Sequence, residues 1–179
     1  EYVDSSLQSG LDHLDGLDYG FTLAPVAAEN LLSAPLANQT PTLNTDGELI
    51  SISLKESGWV KNPSGNFVPE PGVSTKSGSF TANDPDGDTL SASVIINGAS
   101  YAVNAVGTTT ITTDYGTFTI TPSAVGSNVT YNYTYTLNNS LIAVQSLGVG
   151  QTRTEQFSYV VGDGHGGFAT NTLTITING

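Results

Sequence analysis

The chain has 179 residues, no cysteine and a formal net charge of -12, with only four strong bases, Lys55, Lys61, Lys76 and Arg153. That excludes a disulfide framework and a thiolate zinc site, and it argues against nucleic acid or an anionic lipid surface as a partner. Thr, Ser, Asn and Gly dominate, which suits an all-β chain with many turns rather than a helical bundle.

Residues 1–45 read as an extended N-terminal arm. Leu7, Leu11 and Leu14 make a short helical stripe that Gly10 and Gly16 weaken, and prolines at 25, 35 and 41 stop any long helix. His13 lies among Asp12, Asp15 and Asp18, a pattern that favours a solvated polar stripe over a metal set. The arm's Leu, Ala and Val need a surface to cover, and "FTLAPVAAENLLSAPL" (21–36) is the expected docking segment. That surface is either the sheet edge of a neighbouring subunit or the chain's own domain.

Residues 46–76 read as a strand and a loop leading into the next domain. In "ELISISL" (48–54), Ile50, Ile52 and Leu54 alternate as in a half-buried strand, and "NPSGNFVPEPG" (62–72) is expected to be a loop. The single Trp, Trp59, is expected to pack against the domain rather than to stack on a sugar.

From 77 to 179 the chain alternates strand and turn. The runs "TLSASVII", "ASYAV", "TTTIT", "YGTFTI", "VTYNYTYT", "TEQFSYVV" and "FATNTLTITI" predict seven strands, the number expected of an immunoglobulin-like β-sandwich. One helical turn or two is expected within "NNSLIAVQSLGVG", capped by Ser140 and ended by Gly148. Strand parity turns Phe157, Tyr159 and Val161 into the core. Glu155 and Asp163 share that parity but lie roughly 27 Å apart along an unbroken strand, so they mark opposite ends.

Acids are scarce here: Asp84, Asp86, Asp88, Asp114, Glu155 and Asp163. Three of them alternate within "FTANDPDGDTLSASV" (80–94), where like charges repel unless water screens them or a cation neutralises them. Hard oxygen donors in a Gly-bearing loop favour calcium over zinc, copper or magnesium. An EF-hand is excluded, because Thr89 and Ile95 stand where its glycine and glutamate belong. The alternative is a plain β-turn, "DPDG", with solvated acids. A catalytic reading fails, since His165 and Asp163 lack a Gly-flanked serine nucleophile, and an enzyme is not expected.

The succession "SGSFTANDPDGDTL", "YGTFTI", "YNYTYTLNNS", "VQSLGVGQTRTEQFSYVVGDGHGG" and "NTLTITING" resembles a VCBS-type repeat, a cadherin-like module of very large bacterial surface adhesins. The resemblance implies a calcium-binding cadherin-like sandwich over residues 77–179, with metal ligands at Asp84, Asp86, Asp88 and Asp163 and Glu155 as the acid of the opposite end. The chain departs from the pattern in the long stretch between "DGDTL" and "YGTFTI" and in ending at Gly179, where tandem repeats usually continue. The expected function is a structural or adhesive module, secreted to the cell surface or a biofilm, whose partners are copies of itself or neighbouring repeats. The absence of Met and the start at Glu1 accord with a processed chain, and no apolar run predicts membrane insertion. The alternative is a calcium-dependent module that binds extracellular polysaccharide.

Overall fold

A computed structural model gives the fold, and it describes residues 37–44 and 51–179. The strands in chain order are β1 (Thr42–Asn44), β2 (Ser51–Lys55), β3 (Gly58–Lys61), β4 (Phe67–Glu70), β5 (Thr75–Asn83) and β6 (Ser91–Ile96), then β7 (Ala99–Ala102), β8 (Thr109–Thr112), β9 (Gly116–Pro122) and β10 (Asn128–Leu137). A short helix, α1 (Ile142–Gln145), precedes β11 (Thr152–Gly162) and β12 (Phe168–Asn178).

Two five-stranded sheets, ordered β1-β5-β10-β9-β8 and β2-β12-β11-β6-β7, face each other. With β1, β5, β10 and β9 as strands A, B, E and D, and β6, β11 and β12 as C, F and G, this is the strand order of an immunoglobulin-like sandwich. All pairings are antiparallel except β2 on β12, where the chain crosses from the first sheet to the second.

Alternation builds the core. Along β10, Val129, Tyr131, Tyr133, Tyr135 and Leu137 are buried, while Asn128, Asn132 and Thr136 face solvent. Phe157, Tyr159 and Val161 of β11 point inward, as their parity requires, and Leu173, Ile175 and Ile177 of β12 line up beside them. Aromatic rings join the sheets: Phe80 stacks on Tyr159 at 4.1 Å between centroids and Phe118 on Phe157 at 4.7 Å. On the outer face of the first sheet, hydroxyl pairs such as Ser77–Thr134 (2.8 Å) and Thr81–Thr130 (3.0 Å) replace apolar contacts, which explains the Thr-rich composition.

The structure departs from the sequence expectations in five places. Residues 37–44, read as the end of the arm, belong to the sandwich, because β1 pairs with the end of β5. The docking segment 21–36, residues 46–50 and His13 lie outside the described residues. β5 itself, "TKSGSFTAN", carries too little apolar alternation to read as a strand; only Phe80 and Ala82 are buried, and nine ladder pairs with β10 hold it. The stretch expected to be a loop contains β4, which pairs with β3 as a separate hairpin. The Asn62 side chain organises that turn by accepting the Ser64 and Asn66 amides. Trp59 sits on this hairpin, 68% exposed, so it does not pack against the sandwich. The helix is capped at Leu141 without a side-chain bond, since the Ser140 hydroxyl is used by Asn138, and it ends at Ser146 rather than Gly148.

Candidate metal centre

Asp84 closes β5, and its carboxylate shapes the loop that follows. Its Oδ1 accepts the amides of Asp86 (2.9 Å) and Asp88 (3.0 Å), folding the loop back on its own first residue. The β-turn suggested by "DPDG" is present, with the Gly87 amide 3.4 Å from the Asp84 carbonyl and Gly87 at φ 88°, a conformation that favours glycine. The Asp84 amide to the Ser127 carbonyl (2.7 Å) and the Leu90 amide to the Gly126 carbonyl (2.9 Å) pin both ends of the loop.

The turn is therefore not the whole account. Asp84, Asp86 and Asp88 each present a carboxylate oxygen, all within 4.8 Å of one another. At that separation two unit charges repel by about 1 kcal/mol in water and by about 3 kcal/mol at an effective dielectric of about 20. Asp86 is exposed and Asp88 half-buried, but Asp84 is only 4% exposed, and its Oδ2 is buried with no hydrogen-bond partner. A buried carboxylate oxygen without a donor is costly, and a cation would remove that cost. Glu56 Oε2 and the Tyr133 hydroxyl are also buried without partners, but neither lies in a group of acids.

Asp163 is held by donors of the chain itself. Its Oδ1 accepts the amides of His165 (2.7 Å) and Gly167 (3.0 Å), and its Oδ2 accepts the Asn38 side-chain amide (2.9 Å). It lies outside the Asp84–Asp86–Asp88 group. These donors, Asn38 first, outweigh the opposing effect of burial and hold the Asp163 carboxyl below the usual carboxylate range. Its loop still reaches the group, because His165 Nδ1 lies 3.0 Å from Asp88 Oδ2.

Sequence reasoning missed Asn38 and Gln39. The Gln39 backbone amide donates to Asp86 Oδ2 (2.5 Å) and its side-chain amide to Asp86 Oδ1 (3.0 Å). Residues 37–44 thus form a strap across both acidic loops. Gly167 makes room for it, since a Cβ there would meet Asp163 Oδ2 and come within 3.0 Å of the Thr40 Cα. No local motif marks these residues; they sit in a polar stretch, with Gln39 placed 47 residues before Asp86 and Asn38 placed 125 residues before Asp163.

Glu155 lies at the opposite end of the continuous strand β11, as its parity implied, and it is 7% exposed. Its Oε1 accepts the Asp114 amide (3.0 Å), and its Oε2 accepts the Thr113 hydroxyl (3.0 Å) and the Tyr135 hydroxyl (2.5 Å). Burial, and then the bond to Glu155, push the Tyr135 hydroxyl well above the ordinary tyrosine value, so it keeps its proton and serves as the donor. The Glu155 clamp ties the β8–β9 turn of one sheet to β11 of the other. A polar cavity of about 430 Å³, lined by Asn97, Asp114, Tyr115 and Gln156 among others, opens beside it.

No protein-family model matches the chain, and neither does any curated protein sequence. Solved structures similar to it include the ASH/PapD-like domain 7 of human CEP192, at 9% identity and a TM-score of 0.35, covering 82% of this chain and 92% of that one. Another is the CooA pilin subunit of enterotoxigenic Escherichia coli, at 11% identity and a TM-score of 0.33, covering 78% of this chain and 98% of that one. The immunoglobulin-like assignment rests on the strand order itself. Among the described residues no helix is long and apolar enough to cross a membrane.

The depressed Asp163 carboxyl fixes a sign for the acid response. The unfolded chain binds this proton more tightly, so Asp163 contributes stability above the ordinary carboxylate value and loses it as pH falls through the lower folded value. Thermal melts in chelator from pH 5 to pH 2 should show a steeper loss for the wild type than for Asp163→Asn; parallel curves would mean that Asp163 is not held in this way.

Proposed function

We propose that residues 37–179 form a calcium-stabilised, non-catalytic structural module of the cell exterior, of the VCBS-type kind that residues 77–179 resemble. The observation that carries the reading is the Asp84 Oδ2, buried without a donor inside a group of three acids. Asp84, Asp86 and Asp88 would hold the ion. Calcium takes about 6 to 8 oxygens, and the second carboxylate oxygens, backbone carbonyls and water can complete that number in a Gly-bearing loop. Bound there, the cation supplies the positive charge that the three carboxylates lack. The chain's own residues set the site's shape: Asp84 Oδ1 fixes the loop and Gln39 orients Asp86. Asp163 lies outside the three carboxylates that come within 4.8 Å of one another, and it supports the strap and the neighbouring loop through Asn38, His165 and Gly167. The same bonds deny it the role of a general base, and His165 faces Asp88 instead of a nucleophile.

Calcium titrated into the chelated protein should give a saturable heat. Binding only to the folded state adds about 2.7 kcal/mol at a hundred times Kd. For a domain of this size that corresponds to a rise in Tm of roughly 5–10 °C. A variant carrying Asp84→Asn, Asp86→Asn and Asp88→Asn should give neither the heat nor the rise, and an equal rise in that variant would remove the site from these residues.

The partners in this reading are copies of the chain or neighbouring repeats, reached through the segment before the strap. A deletion of residues 1–45 would remove the strap and β1 together, so the informative deletion is 1–36, which leaves the compact unit Ala37–Gly179 whole. The shortened chain is expected to bind calcium as before and to lose self-association in sedimentation; association of unchanged size would exclude that segment as the contact.

A further inference from the structure

We propose that Gln39 is a positioning residue for Asp86, and that occupation of the Asp84–Asp86–Asp88 site locks the 37–44 strap onto the sandwich. The inference rests on the calcium reading above and adds to it a conformational consequence. Gln39 is the strap's only polar hold on the acidic group, and it uses both oxygens of Asp86, one through its backbone amide and one through its side chain. Asp86 is the exposed member of the group and is free to swing away from its neighbours when their charge is uncompensated. If it swings, both Gln39 bonds break together.

The remaining anchors are few. Asn38 holds Asp163, Pro41 is buried, the Thr42 hydroxyl donates to the Asn83 carbonyl (3.1 Å), Leu43 packs against the core, and β1 contributes three ladder pairs with the end of β5. So short a strand is marginal without its polar contacts. Neutralising the group holds Asp86 in place, and Asp86 in turn holds the strap. Each carboxylate oxygen has a second lone pair, so accepting from Gln39 and facing a cation are compatible. The coupling is therefore positive, and it is reciprocal: whatever the cation adds to strap docking, the docked strap adds to cation affinity.

Two measurements on the full chain test this. Amide hydrogen exchange, read with chelator and with saturating calcium, should show the Gln39 amide and the β1 amides that bond to β5 slowed by about tenfold in calcium. Gln39 is exposed, so Gln39→Ala should fold normally, and calorimetry should find its calcium affinity weakened by about fivefold. Calcium binding with wild-type affinity in Gln39→Ala, or strap exchange that calcium leaves unchanged or speeds up, would overturn the coupling and leave the calcium site standing. No calcium heat in the wild type would overturn both.

Discussion

A carboxylate shut away from water must find donors or a positive charge, and among the described residues three are buried: Asp84, Glu155 and Asp163. Two are satisfied by the chain. Glu155 collects two hydroxyls and a backbone amide, and Asp163 collects two backbone amides and a side-chain amide. Asp84 is satisfied on one oxygen only, and its neighbours in the loop are two more acids. The asymmetry separates two acids whose oxygens are all partnered by the chain from one with a buried oxygen that no donor of the described residues reaches.

The position of these acids follows from the architecture. The inward faces of β10, β11 and β12 are filled with Tyr, Phe, Val, Leu and Ile, so a charged group is tolerable only where the strands run out. Glu155 stands near the start of β11 and Asp163 just beyond its end, while Asp84 follows β5 on the facing sheet. Each acid fastens turns that the core cannot reach: Glu155 the β8–β9 turn, Asp163 the loop before β12, Asp84 the loop before β6. The strap then bridges the loops of Asp84 and Asp163. That bridge makes charge in one loop matter to a segment more than forty residues away in sequence.

Much of this was legible in the sequence, and the reason is periodicity. Phe157, Tyr159 and Val161 declare their inward face because a long core strand alternates without interruption, and the same count separates Glu155 from Asp163. The three aspartates of the first loop could be picked out because acids are scarce around them. What stayed hidden depends on partners rather than on pattern. β5 is polar along most of its length and becomes a strand through its pairing with β10. The β3–β4 hairpin only half-buries one face, made of Gly58, Val60, Val68 and Glu70, a set too mixed to read as apolar alternation, and Trp59 remains in solvent upon it. Nor does any local pattern announce that Asn38, His165 and Gly167 converge on Asp163, since the first of these lies far from it in sequence.

The central claim is that Asp84 Oδ2 is the buried anchor of a calcium ion. X-ray diffraction from crystals grown with calcium, or with terbium in its place and recorded at the lanthanide's absorption edge, tests it at the level of the atom. The account predicts one anomalous peak at coordination distance, about 2.3–2.6 Å for calcium, from Asp84 Oδ2 and from oxygens of Asp86 and Asp88. An ordered water on Asp84 Oδ2, with no anomalous peak there at saturating cation, would contradict it.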